Sequence, residues 1–413
     1  MQRNSILSVL FLIILPLSAL PVSLYSWKEC DGSAMPYPSP AGDRSCPDSL
    51  TPVMIQHVGR HGARYPSSAQ RAVKLKALID SARAQRTLTE TGEELSRIVD
   101  GVLAVSDGRW GRLDSLGMRE QQEIASRMVK AFPELFKGGV KAIASYVPRC
   151  VMSMYEFNHE VSWLRKKVNI SSLSGPEFTA LLRPFSVDST YLAYREDEPY
   201  RDAYREYFDR IAPESVAERA LGAGFVSTES KKDISSLIYQ FLSGMNAMSY
   251  PAAMDRFMTL EECNALWATR NLTQYLERVD NKFSRVPALI ASPLLKDIIG
   301  SITAGLASED SLGCKVHLRF GHAETMMPLL ALMRIPGCFY MTDDLNTVAQ
   351  HWRNFHVVPM ASNLQIILFR AVSGTVYARV DFNENPVNPL PDSADIYVPW
   401  DKLCAYWTSL MPQ

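Results

Sequence analysis

At 413 residues, with 47% hydrophobic and 21% charged side chains, the chain has the make-up of a globular protein and the length for roughly two domains. Lysine and arginine together number 43 against 44 for aspartate and glutamate, so no global charge draws it to nucleic acid or an anionic membrane surface. Any preference for an anion must come from a local cluster. The first predicted element is an export signal over residues 1–26. Arg3 precedes the apolar run Ile6 to Leu15, and Pro16, Ala19, Pro21 and Ser23 supply small and helix-breaking residues. This predicts an exported protein, periplasmic or secreted, with no stable membrane association after signal cleavage, since no second apolar stretch is read as long enough to span a bilayer.

An apolar run from Pro52 to Gln56 reads as a strand and leads into "QHVGRHGARYP". Leu113 to Phe132 has helical periodicity through Leu116, Ile124, Met128 and Val129. A second strand, Lys141 to Val147, delivers Arg149. From about residue 155 to 280 helical patterns mix charges with aromatics, as in "YREDEPYRDAYREYFDRI". A third strand, Lys315 to Phe320, delivers Gly321-His322, after which Met326, Met327, Leu329, Leu330 and Met333 follow at helical spacing. "SNLQIILFRAVSGTVYARVDFN" reads as two strands around Ser373-Gly374. Strands alternating with helices predict an α/β fold, a mainly parallel sheet flanked by helices, with an inserted all-helical cap. The boundaries read are core at 27–154, cap at 155–280 and core again at 281–413.

A turn after a strand needs glycine or proline; it does not need Arg60, His61 and Arg64 together. Two guanidinium groups suit a tetrahedral oxyanion, and the glycines let backbone approach closely. Neighbouring positive charge disfavours imidazolium, which leaves His61 a neutral nitrogen able to act as nucleophile or base. The bland alternative is a turn with surface arginines and a hydrogen-bonded histidine. Arg149 adds a third guanidinium at another strand end. His322 and Glu324 add a donor and an acid at the start of a helix whose free amides favour an anion. Metal chemistry is not implied: there is no H-E-x-x-H, no Cys/His zinc spacing and no glycine-rich loop ending in Lys-Ser/Thr, and no cofactor is called for. His57 and His61, four apart, straddle a strand end and turn and need not face one ligand. None of the seven cysteines starts a Cys-x5-Arg loop, which argues against a cysteine nucleophile. In an exported chain they permit up to three disulfides, with Cys30–Cys46 and Cys314–Cys338 as near-neighbour guesses.

"RHGARYP" is similar to the Arg-His-Gly-x-Arg-x-Pro signature of the histidine acid phosphatases, the two-arginine branch of the histidine phosphatase superfamily. "HAE" at His322–Glu324 resembles the multiple inositol-polyphosphate phosphatases, and "PRCVMSMYEF" and "SNLQIILFR" resemble further segments of the same family. The resemblance runs from about Thr51 to Asn383, patchily through the helical middle. It implies that His61 attacks phosphorus to form a phosphohistidine, that Arg60, Arg64, Arg149 and His322 hold the equatorial oxygens, and that Glu324 protonates the leaving alcohol. The implied partner is a small phosphorylated molecule, an inositol polyphosphate such as phytate. Position 63 is Ala, which departs from the Arg-His-Gly-Glu of phosphoglycerate mutases.

A polyphosphorylated ring needs positive charge beyond the reacting phosphate. Candidates in or near the cap are Arg165, Lys166, Lys167, Arg183, Arg195 and Lys296, with Arg183, which precedes Pro184, favoured. Two other functions stand beside the phytase reading: a broad-specificity acid phosphatase and a noncatalytic binder of phosphorylated ligands. "NIS" at Asn169 and "NLT" at Asn271 are glycosylation acceptors only in a eukaryotic secretory pathway.

Overall fold

The structure, a computed structural model, describes residues 24–412 apart from 39, 41–45, 251, 309, 311–312 and 392. Residues 1–23 of the expected export signal lie outside the described residues. Tyr25, near the end of that segment, packs against Trp267 and Phe355, and its hydroxyl donates to the Ala349 carbonyl at 2.8 Å. Among the described residues eight strands form one sheet: β1 (Leu50–Arg60), β2 (Gly139–Ala144), β3 (Asn169–Ser174), β4 (Cys314–Gly321), β5 (Asn363–Ala371), β6 (Val376–Phe382), β7 (Asn385–Val387) and β8 (Val398–Pro399). Their order is β3-β2-β4-β1-β5-β6-β7, with β8 on β6. The expectation of a mainly parallel sheet needs correcting. Pairings among β1, β2, β3 and β4 are parallel, whereas β5 runs antiparallel to β1 and to β6, and β7 and β8 run antiparallel to β6. Helices bridge the strands up to β4 and allow parallel crossovers, and a tight turn at Gly374 (φ +89°) joins β5 to β6 and makes that pair antiparallel.

Helices α1 (Gln70–Ala84), α2 (Glu90–Ser106), α3 (Ser115–Ala131) and α4 (Pro148–Leu164) follow the first strands. On one face of the sheet Ile124, Met128 and Val129 of α3 and Met154, Phe157 and Val161 of α4 pack against Val316, Phe320 and Phe369. The other face is covered from Leu294, Leu295, Ile298 and Ile302 to Trp407. A separate helical core, the cap, joins Leu75 and Ile79 of α1 and Leu95, Val99 and Val102 of α2 to Ile234, Ile238, Leu266 and Trp267. Its later helices are α5 (Lys231–Leu242) and α6 (Leu260–Arg278). The helical region read at 155–280 therefore contains a sheet strand, β3, and α4 runs across its first boundary. Conversely, α1 and α2 pack with the cap although they precede residue 155. Periodicity predicts a helix and its apolar stripe but carries no information about which layer the stripe meets.

Three further expectations are corrected. Val286–Ala307 is a 22-residue helical stretch of mean hydropathy 1.4, long and apolar enough to cross a membrane by length and composition, against the expectation of no second such stretch. Its inward face lies in the core through Leu294, Leu295 and Ile298, and Asp297 pairs with Arg319 at 2.6 Å. All seven cysteines are free. Cys30 packs in the cap core whereas Cys46 lies against the sheet, and Cys338 is buried with the second sheet face whereas Cys314 opens β4, so neither guessed pair shares a cluster. Of the two glycosylation sequons, Asn271 is fully buried. Its Nδ2 donates to the Trp352 carbonyl at 2.8 Å and its Oδ1 accepts from the Asn354 amide, which leaves nothing for a glycan.

Candidate active site

The motif lies where the ends of three neighbouring strands meet. The Arg60 amide donates to Ser362 O (2.8 Å), the His61 amide to Gly321 O (3.0 Å) and the Ala361 amide to His61 O (3.1 Å). β1 is thereby locked to the end of β4 and the start of β5. From the α3 side, Gln121 Nε2 donates to Arg60 O (3.0 Å), and the Glu120 carboxyl accepts from the Ala63 amide (2.7 Å) and the Tyr37 amide (2.8 Å). From α4, Ser153 Oγ accepts from the Gly62 amide (3.1 Å). Gly62 is required by proximity. A Cβ there would lie 2.4 Å from Gly117 O in α3, and a Cβ on Gly117 would lie 2.1 Å from Ala63 O. Gly62→Ala is expected to destabilise the fold by about 1–3 kcal/mol through overpacking and to lower kcat at least tenfold by displacing the loop. Thermal denaturation and steady-state kinetics check this; a variant matching wild type in both would show that the two backbones need not touch.

His61 is buried, and its Nδ1 lies 3.0 Å from Gly62 O. A carbonyl only accepts, so Nδ1 carries the proton and Nε2 keeps its lone pair. Burial, then the charges of Arg60, Arg64, Arg149 and His322, hold its pKa well below the usual histidine value, so the ring is neutral. The arginines also act on one another. Burial and neighbouring charge bring Arg60 down to about 10 and Arg64 down to about 9, with Arg149 the largest repulsive neighbour of each. Arg60 Nη1 donates to the Ser33 and Val358 carbonyls, and Arg64 Nη1 to Tyr65 O at 2.8 Å. The Nε groups of Arg60, Arg64 and Arg149 are buried without a hydrogen-bond partner. A cluster of cations with unpartnered donors is a site that a dianion stabilises.

His322 is placed differently from the expectation that it faces phosphate. Its Nδ1 accepts from Arg149 Nη2 at 3.2 Å, so Nε2 carries the proton and donates to Ser145 Oγ at 3.0 Å. Both ring nitrogens thus hold protein partners, one of them Arg149. Beside it the Cys150 thiol donates to Gly321 O at 3.1 Å, and burial pushes it up to about 12, so no thiolate competes with His61.

Helix α7 (Ala323–Leu332) opens where the sequence predicts, with Glu324 in its first turn. Burial pushes this carboxyl up, but the charges of Arg278 and His322, the backbone amide of Glu324 and the charge of Arg60 outweigh it and hold it below the ordinary carboxylate range. Nothing in the sequence marks out Arg278. It lies over the Phe185 ring at 5.8 Å and donates to the Tyr191 hydroxyl. Arg60, His61, Arg64, Arg149 and Glu324 all line one cavity of about 420 Å³ between sheet and cap. Arg183 lies outside its lining, stacked over Tyr146 and Phe185 at 5.1 and 5.5 Å; Phe185 meets His322 edge-on. Lys296 is exposed on the helix Ser292–Ala307 and is brought to none of these residues. Arg195 is paired with Glu277 at 2.6 Å. His57 packs between Phe157 and Phe320, away from His61's ring contacts, and no group of three His, Cys, Asp or Glu among the described residues is placed to hold a metal ion.

No family model matches the chain. Multiple inositol polyphosphate phosphatase 1 of Gallus gallus is 24% identical over 351 residues, 80% of this chain and 74% of that protein. The Homo sapiens protein of the same name is 24% identical over 357 residues, 78% of this chain and 71% of its own. The crystal structure of Bifidobacterium longum multiple inositol polyphosphate phosphatase in complex with inositol hexasulfate matches with a TM-score of 0.79 at 18% identity, covering 92% of this chain and 97% of that one. The fold expected from the motif is borne out: the chain shares the fold of the multiple inositol polyphosphate phosphatase structure. The phytase from D. castellii, with a TM-score of 0.66 at 14% identity over 93% of this chain and 86% of that one, shares the histidine acid phosphatase fold more distantly.

Proposed function

We propose that the protein is a phosphomonoester hydrolase that removes phosphates from inositol polyphosphates such as phytate through a phosphohistidine at His61. The observation that carries this reading is a neutral imidazole with its Nε2 lone pair free, in a cavity lined by Arg60, Arg64 and Arg149 and by a carboxyl at the start of a helix. In the first step Nε2 attacks phosphorus, the bond from phosphorus to the alcohol oxygen breaks, and Glu324 gives its proton to that oxygen. In the second step water attacks phosphorus, Glu324 takes its proton, and the P–N bond breaks to release orthophosphate. The guanidinium groups stabilise charge on the equatorial oxygens in both steps. His322 contributes by holding Arg149, and Glu120 by holding the loop. The names of the relatives support the substrate class. The apolar N-terminal run supports export, to the periplasm or the cell exterior.

The test is phosphate release from phytate and from a small aryl phosphate at mildly acidic pH with a chelator present. A higher kcat/KM for phytate supports the proposal. Equal constants convert it to a broad-specificity acid phosphatase, and no release from either leaves a binder of phosphorylated ligands.

A further inference from the structure

Cys30 and Cys263 are far apart in sequence, yet both are fully buried in the cap core. Cys30 stands in the 3₁₀ turn Glu29–Ala34 and Cys263 in the first turn of α6, and these two elements pack side by side. Hydrogen bonds clasp them on both sides of the cysteines. The Tyr25 amide donates to Asn264 Oδ1 at 2.8 Å and Asn264 Nδ2 donates back to Tyr25 O at 2.9 Å, while farther along Gln274 Nε2 donates to Ser33 Oγ at 3.0 Å. From α5 the Tyr239 hydroxyl donates to Cys30 O at 2.8 Å. The two thiols meet between these clasps: hydrogen bonding with Cys30 is the largest cause pushing Cys263 up, ahead of burial. The other thiols differ, since no cysteine is among the groups that shift Cys46, Cys150, Cys314 or Cys338.

We propose that Cys30 and Cys263 are a modification site: they join as a disulfide when the chain folds in an oxidising compartment, and so tie the N-terminal segment to the cap. The oxidising compartment comes from the export reading; the phosphohydrolase reading plays no part in it.

The oxidant is a disulfide, either that of a thiol oxidoreductase or oxidised glutathione. The thiolate of one cysteine attacks a sulfur of the oxidant and expels the other as a thiolate. The second cysteine then attacks the mixed disulfide and releases the remaining sulfur. Two S–H bonds are lost and one S–S bond forms, and the two protons and two electrons leave with the oxidant, which becomes two thiols. Pairing precedes closure of the core, because both sulfurs are shielded from any oxidant in the folded chain. Once formed, the bond is shielded from reductants in the same way. Closing so long a loop restricts the unfolded chain. The segment it anchors also belongs to the site: Ser33 O accepts from Arg60 Nη1, and Asp31, Gly32, Ser33 and Ala34 line the cavity that holds His61. The bridge therefore fixes backbone that in turn holds the first arginine of the motif.

The experiment expresses the full chain in a host that exports it, denatures the purified protein in iodoacetamide without reductant, and maps its peptides by mass spectrometry. The expected result is one linked peptide joining Cys30 to Cys263, with neither residue alkylated. A reductant should lower the Tm of wild type by at least about 3 °C and leave that of a Cys30→Ala/Cys263→Ala double variant unmoved. The peptide map needs no variant and decides the matter even if the double variant fails to fold. Alkylation of both residues in the exported protein, or linkage of either to a different cysteine, overturns the proposal. Should the chain stay in the cytosol, the export reading fails by itself. The pair is then decided by refolding the reduced, denatured chain in a mixture of reduced and oxidised glutathione: a Cys30–Cys263 peptide supports it, and its absence overturns it.

Discussion

His61→Ala is expected to lower kcat on phytate by at least about four orders of magnitude, the scale seen when a nucleophile is removed from an otherwise intact site. The lone pair on Nε2 has no substitute nearby. Cys150, the closest alternative, is a buried neutral thiol whose proton is held by Gly321 O. The arginines remain, so the variant should still bind orthophosphate, and loss of one buried ring from among mutually repelling cations should not unfold it. Rapid acid or base quenching separates the possibilities. Wild type mixed with phytate should yield an acid-labile, base-stable phosphoprotein, and the variant none. A His61→Ala protein within tenfold of wild type would show that water, not the imidazole, attacks phosphorus.

Glu324→Gln is expected to lower kcat on phytate by about 10²- to 10⁴-fold, the usual contribution of a positioned proton donor. Its effect on an aryl phosphate should be much smaller, since a phenolate leaves without a proton. The pH behaviour follows from the sign of the shift. In the free enzyme the carboxyl lies below its ordinary range, held there by Arg278, His322 and Arg60 against the upward push of burial. It is therefore ionised in the free protein at mildly acidic and neutral pH. A bound phosphate dianion cancels much of that positive field and raises the carboxyl, so protonation accompanies binding and is favoured as pH falls. Wild-type kcat on phytate should accordingly decline on the alkaline side, along a limb that the Gln variant lacks. The same depression means that ionised Glu324 stabilises the free fold at neutral pH and that this contribution is lost as pH falls through the depressed value. Equal losses on phytate and aryl phosphate, with the alkaline limb retained, would assign Glu324 to binding alone.

Much of this site is legible in the amino-acid sequence, because its chemistry sits in short strings at strand ends. Arg60, His61 and Arg64 fall within five consecutive positions, and Arg149 and Glu324 each follow an apolar run within a few residues. The β5 and β6 hairpin is likewise visible from apolar runs around Ser373-Gly374. Less can be read where a pattern has two structural meanings. β3, "NISSLS", is an edge strand exposed along most of its length, so it carries no apolar alternation. β5 is buried on both faces, which gives it the continuous apolar look of a parallel strand although it runs antiparallel. Arg71 and Arg270 look like any charge on a helix face until the fold turns that face toward the cleft, and Arg278 until its charge is seen to act on Glu324. Lys296 has the same appearance and is turned to solvent instead. The sequence pattern picks out His322 but not the direction of its ring: only the placement of Ser145 and Arg149 shows that both nitrogens are engaged.

The central strand carries one further consequence. β1 delivers His61, which follows its last residue, and its two sheet neighbours, β4 and β5, both come from beyond residue 313. A chain emerging amino end first therefore exposes His61 long before anything exists to pin it, and contacts so distant in sequence form late. The unfinished polypeptide has the reactive imidazole without the register that aims it. On the mechanism proposed above, birth order acts as a safety catch: organic phosphates in the compartment of synthesis meet an inert chain, and hydrolytic power arrives only with about the last quarter of the molecule.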